Sequence, residues 1–159
     1  MMVQALSGSV SDDMDYVIDG LLHIVSGIMK EKSANNIIKN AETAKAKEKM
    51  KNVVKSGKYG EDKLKELVGG ESQKYFRTSS GGRYVDQFKD EVAHEAKTGY
   101  TTATSFIKEQ IKKDVELLNE GTFKDVIWHF YESPVTNKSG ASKELIKLLK
   151  DSGITVVFH

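Results

Sequence analysis

Glu95-Ala96-Lys97 sets a carboxylate and an amine two residues apart, and Asp86 stands shortly before them. On a strand, side chains alternate between faces, so Glu95 and Lys97 share one. If Asp86 lies on the partner strand of a hairpin, two carboxylates and an amine meet. Such a group can cut a phosphodiester. The reaction needs charge on the phosphate neutralised, a water activated and the leaving oxygen helped away. Two carboxylates on neighbouring strands can hold a magnesium-like ion through oxygen ligands. A lysine beside them steadies the attacking water or offsets charge in the transition state. A glutamate on the preceding helix completes the metal shell or accepts a proton. Glu61 suits that place, with Glu66 and Glu71 as alternatives.

The elements around these residues must deliver that geometry. Tyr84 to Phe88 and Val92 to Lys97 read as strands joined by the turn Lys89-Asp90-Glu91. A second Glu-x-Lys triplet, Glu61-Asp62-Lys63, falls in a predicted helix, where residues two apart diverge around the axis. Helices are expected over 12–29 (an amphipathic one), 34–55 and 60–68, with Ser56-Gly57 as a break between the last two. The 34–55 stretch carries little to bury. Thr102 to Asn119 and Ser142 to Asp151 read as helices, and Asp125 to Tyr131 and Ile154 to Phe158 as strands. A terminal strand–helix–strand after a hairpin predicts an α/β (α+β) fold with a mixed sheet and a right-handed crossover.

Composition bounds the rest. The chain of 159 residues is 30% charged and 38% hydrophobic, enough for one domain with a core and a short appendage. With no cysteine it has no disulfide framework and no thiolate zinc site. His23, His94, His129 and His159 show no metal-ligand spacing. His94, on the face opposite Glu95, is expected to pack or meet solvent, and the side taken by His129 is open. Trp128, Phe130 and Tyr131 read as core, and the loop Ser133–Gly140 as a place for contacts with a substrate or inhibitor. The most apolar stretch, Met14 to Met29, is too short and too acidic to span a membrane, and its flank is wrong for a signal peptide. No stable membrane insertion is expected. Met1-Met2 reads as an added start, which marks the chain as a piece of a longer one. Nine lysines between 30 and 58 read as a solvated face, with a phosphate-tracking surface as the alternative.

The order Gly60-Glu61 on a helix, Asp86, then Glu95-x-Lys97 before another helix resembles the PD-(D/E)xK nucleases of the restriction-endonuclease-like fold. KYFRTSSGGRYVDQF, VAHEAKTGYTTATSFIKEQIKKDVELL and WHFYESPVT…ELIKLL…GI carry the resemblance further. They are similar to the C-terminal nuclease domain of bacterial polymorphic toxins, of the contact-dependent-inhibition and LXG type. The likeness covers roughly residues 58–159. One departure is that Val85 stands where the motif has proline before the first Asp.

The resemblance implies a restriction-endonuclease-like mixed sheet flanked by helices over 58–159. Residues 1–57 are then an N-terminal helical segment, either a pre-toxin linker or a cap on the core. It implies Asp86 and Glu95 as metal ligands, Lys97 as the catalytic lysine, Glu61 as the helix glutamate and Gln110 as a polar residue near the phosphate. The cofactor would be divalent magnesium, manganese or zinc. The partners would be nucleic acid and a cognate immunity protein. The chain would be secreted or delivered within a larger bacterial toxin and act in the target-cell cytoplasm. DNA is preferred over RNA, because paired carboxylates and a lysine suit hydrolysis without a 2′-hydroxyl. An RNase, including a tRNase, on the same fold is the first alternative. A non-catalytic module binding nucleic acid or an acidic partner is the second.

Overall fold

Packing, rather than local propensity, sets the length of the first helix. A computed structural model describes residues 44–159, and in it α1 runs without interruption through Ala44–Val68. The expected break at Ser56-Gly57 is therefore absent. A mid-helix glycine costs about 1 kcal/mol relative to alanine, but this stretch is held from outside. Ser56 Oγ meets Ser133 Oγ at 2.7 Å. Met50, Ser56, Gly60 and Leu64 form the buried side of the helix. Met50 also corrects the expectation that this segment has little to bury. The helix proposed over 12–29 and the start of that over 34–55 lie outside the described residues, and the expected division at 57/58 falls inside α1.

After α1 come β1 (Glu71–Thr78), β2 (Gly81–Lys89), β3 (Val92–Thr98), α2 (Ser105–Asn119), β4 (Asp125–Tyr131), α3 (Lys143–Asp151) and β5 (Thr155–Phe158). The five strands form one sheet in the order β1-β2-β3-β4-β5. The first two pairings are antiparallel hairpins, and the last two are parallel, each with a helix in its connection. The mixed sheet expected from the sequence is thus present. β1 is an addition to that expectation. Half of its run ESQKYFRT is exposed and only Thr78 is buried, as suits an edge strand.

Local chemistry sets the boundaries. The β2–β3 turn, Asp90-Glu91, has positive φ at both residues (52° and 64°), the conformation that matches the twist of a two-residue hairpin. The β1–β2 turn is pinned from outside, since the Glu116 carboxylate accepts from Ser79 N at 2.6 Å and from Ser79 Oγ at 2.7 Å. Thr104 caps α2 by accepting from Ile107 N, and Ser142 caps α3 by accepting from Leu145 N.

The sheet separates two layers. Glu95 and Lys97 point toward α2, and the residues between and after them, Ala96 and Thr98, lie under Gly60 of α1. On the α2 side, Ile107, Ile111 and Leu117 pack with Leu145 and Leu149 of α3 against Val85, Ala93, Val126, Trp128 and Phe130. Phe76, Phe88 and Phe123 close one end of this core edge-on. On the α1 side a methyl group at position 60 would overlap Thr98 Oγ1, so glycine is what lets the helix come this close.

Candidate active site

The sheet has a notch, and the backbone pairing defines it. β2 and β3 pair only at Gln87↔His94, Phe88↔Ala93 and Lys89↔Val92. Beyond that point β2 continues against β1 alone, and β3 from Glu95 to Thr98 continues against β4 alone. Alternation fails on β2 at the same place. Val85 and Phe88 both reach the core, so two residues, Asp86 and Gln87, occupy the step where a regular strand has one or three. Asp86 therefore turns into the gap. Its Oδ2 accepts the Ala96 N–H at 2.8 Å, which places the carboxylate beside the Glu95–Ala96 peptide. A side chain thus does what a ladder hydrogen bond would have done. Across on β1, Gln73 has φ of 54° and donates from Nε2 to Asp86 Oδ1 at 3.0 Å.

Glu95 and Lys97 share a face as the strand period requires. Lys97 Nζ donates to Glu95 Oε1 at 2.8 Å and to Gln110 Oε1 at 2.6 Å. Gln110 Nε2 returns to Glu95 Oε1 at 3.2 Å. The ammonium also lies 4.8 Å from the centroid of the Trp128 ring. Glu95 is 1% exposed and Lys97 8%, so these are buried charges held by one another. Glu61 approaches from α1, on the far side of the notch, and feels Asp86, Glu95 and Lys97. The structure therefore links Glu95, Lys97 and Gln110 by hydrogen bonds, sets Asp86 on the adjoining peptide, and brings Glu61 within range of their charges.

Three residues of the cluster escaped the sequence reading. Arg83 on β2 donates from Nη2 to Glu95 Oε2 at 3.2 Å and binds Asp114 of α2 through Nε at 2.7 Å. Trp128 Nε1 donates to Asp114 Oδ2 at 3.0 Å. Gln73 is the third. No local pattern announces them: Arg83 and Asp114 are 31 positions apart and meet only when α2 crosses the sheet.

The electrostatics divide the carboxylates into two kinds. Burial by itself would push Glu95 up, but Arg83 and Lys97 outweigh it and hold Glu95 below its ordinary value, so it is ionised. Asp86 is pushed up to about 8, first by burial and then by the charge of Glu95. Glu61 is pushed up to about 9, first by burial, then by Asp86 and Glu95. Two acids thus stay largely protonated near neutral pH beside a third that is charged.

The same observation tests the fit of a divalent cation. Carboxylates that repel one another strongly enough to retain protons are a donor set that a cation would relieve, and their oxygens are hard ligands. Asp86, Glu95 and Glu61 fit the group in that sense. Glu95 already accepts from three donors, which leaves Asp86 as the less committed ligand. Among the described residues no three carboxylate or imidazole groups form a ready-made metal shell.

The three histidines among the described residues lie elsewhere. His94 Nδ1 meets His129 Nε2 at 3.0 Å, and His129 Nδ1 meets His159 Nε2 at 2.9 Å. His129 falls on the face opposite Trp128 and Phe130, away from Lys97, and burial with its two imidazole neighbours lowers it to about 4. Trp128, Phe130 and Tyr131 are buried, as expected for core. The Ser133–Gly140 loop is tied to its own backbone, with Ser133 Oγ accepting from Val135 N and Thr136 N. Among the described residues no helix is long and apolar enough to cross a membrane. Compared with known proteins, the chain matches no family model, no curated protein and no solved structure.

Proposed function

We propose that this chain is a metal-dependent nuclease that hydrolyses phosphodiester bonds, with DNA preferred over RNA, on a restriction-endonuclease-like fold. One observation carries the reading. Glu61, Asp86, Glu95 and Lys97 arrive from one helix and two parting strands at a single notch, where two of the acids keep raised pKa values. Carboxyl groups with raised pKa values cluster at functional sites, and a bound cation would relieve the repulsion that contributes to the rise here.

Each side chain then has a part. Asp86 and Glu95 would hold the cation, which when bound would offset charge on the phosphate as a Lewis acid. The donor set of carboxylate oxygens favours magnesium or manganese over zinc. Lys97, fixed by Glu95 and Gln110, places a positive charge where the attacking water or the phosphate oxygens would sit. Gln110 sets the direction of that lysine. Glu61 exchanges a proton with the reacting oxygens, its acid form favoured in the empty site and its base form once positive charge is nearby. Arg83 keeps Glu95 ionised and fixes its orientation.

The setting follows the sequence resemblance. The domain would be delivered within a larger bacterial toxin, act in the cytoplasm of a competing cell and be held inactive in its producer by a cognate immunity protein. The decisive experiment incubates the chain with plasmid DNA and, separately, with total RNA, with magnesium or manganese and again in chelator. Cleavage of plasmid that stops in chelator supports the reading. Glu95→Gln and Lys97→Met should each lower the rate by at least about a hundredfold with the fold intact. Cleavage of RNA alone would reassign the substrate, and equal cleavage by wild type and both variants would sink the proposal.

A further inference from the structure

Gln73 is the least expected member of the notch. It stands on an edge strand in the left-handed region, where a side chain other than glycine, asparagine or aspartate is uncommon. The strand does not need this for pairing, since Ser72↔Gln87 and Lys74↔Val85 pair on either side of it. Position 73 faces Asp86 in that register. The unusual backbone aims the side chain at Asp86, to which Nε2 donates. The other half of the amide is unsatisfied: Gln73 Oε1 is buried and accepts from no donor. Buried carbonyl oxygens without a partner are rare and call for an explanation. Against the ionised form of Asp86, which a bound cation would favour, turning the amide over would set its oxygen on Asp86 Oδ1 and strand the N–H donors, so in that form the orientation follows from Asp86.

We propose that Gln73 belongs to the site as a neutral oxygen ligand, holding Asp86 through its nitrogen and offering its carbonyl oxygen to a divalent cation of the magnesium or manganese type. Amide carbonyls are ordinary ligands for hard cations. A neutral one suits this place, because the notch already holds three carboxylates that repel one another. A fourth charge would raise that repulsion in the empty site, while a carbonyl adds a donor without it. The inference rests on the reading of the notch as a cation site.

The test measures manganese binding to the full chain by calorimetry, in the absence of nucleic acid. Gln73→Gly removes both amide groups and suits the positive φ, so the variant should fold with unchanged or higher thermal stability. It should bind manganese about tenfold more weakly. Gln73→Glu restores an oxygen ligand but cannot donate to Asp86. It should bind at least as tightly as the wild type. Binding by Gln73→Gly equal to wild type overturns the inference, and so does Gln73→Glu binding as weakly as Gln73→Gly, which is the result expected of a residue that only positions Asp86. Asp86→Asn separates this failure from that of the site as a whole. If Asp86→Asn loses affinity and Gln73→Gly does not, only the role of Gln73 falls. If the wild type binds no manganese, both fall.

Discussion

Asp86 is costly where it stands. Its pKa rises from the ordinary 3.8 to about 8, so the folded chain keeps a proton that the unfolded chain releases anywhere between those values. The unfolded state then binds fewer protons, and the linkage makes stability fall as pH rises from about 4 through about 8. Glu61, raised to about 9, extends the same fall slightly further. In chelator, Asp86→Asn should flatten that slope. It should match the wild type near pH 4 and exceed it at pH 9 by up to about 5 kcal/mol, read from denaturant unfolding at the two pH values. A wild type more stable than Asp86→Asn at pH 9 would contradict the raised value. At this scale the sequence was legible where a period fixes geometry. Glu95 and Lys97 had to share a face because they are two apart on a strand. Asp86 reached them through a lapse in that period, and Gln110 was placed by resemblance alone. Arg83, Asp114 and Gln73 left no trace, because charged contacts between distant segments impose no spacing on the chain.

At the scale of elements, α1 and the notch depend on one glycine. Gly60 lets α1 lie against Ala96 and Thr98, and the next residue is Glu61. Gly60→Ala would gain helix propensity of about 1 kcal/mol in an exposed helix. Here the added methyl meets Thr98 Oγ1, and the net effect should be a loss of roughly 1–3 kcal/mol. Cleavage should fall further than stability does, since the helix carrying Glu61 is pushed from the notch. Thermal denaturation and plasmid digestion on the same sample check both, and a Gly60→Ala variant with full activity would show that the approach of α1 is unimportant. The helix itself was misjudged at Ser56-Gly57 because propensity is local and the partners that hold it, Ser133 and Thr98, lie far along the chain. β1 was missed for a related reason. An edge strand with exposed polar residues shows neither alternation nor a β-rich composition, and its pairing with β2 supplies what its sequence lacks. α2, β4 and α3 were legible because each joins an apolar stripe to a clear start or stop.

For the whole molecule, the described fold begins inside the segment first assigned to residues 1–57. Met50 is 3% exposed and Ser56 is bonded to Ser133, so the turns of α1 before residue 58 belong to the core. A chain starting at residue 44 should therefore fold cooperatively and keep cleavage. A chain starting at 58 should lose stability by about 2–3 kcal/mol or more, the usual result of removing a buried methionine and its neighbours. Urea unfolding of the two truncations distinguishes them, and equal stability would place the boundary back at 57/58.

The parting of β2 from β3 has a mechanical consequence. Only three backbone pairs and the Asp90-Glu91 turn join the β1–β2 wing to β3, and beyond them the ties across that seam are side chains, Asp86 on the Ala96 N–H and Arg83 on Glu95. The wing leaves β3 at that turn, and its far end is held to α2 instead, by Glu116 on Ser79 and by Lys113 Nζ on the Gly82 carbonyl. Arg83 is the latch, because it grips Glu95 on the fixed strand and Asp114 on α2 at once. The width of the gap is thus set by side chains, Arg83 foremost, rather than by the backbone ladder; under the proposed function, a nucleic-acid strand entering it would meet the buried acids only as far as those ties allow.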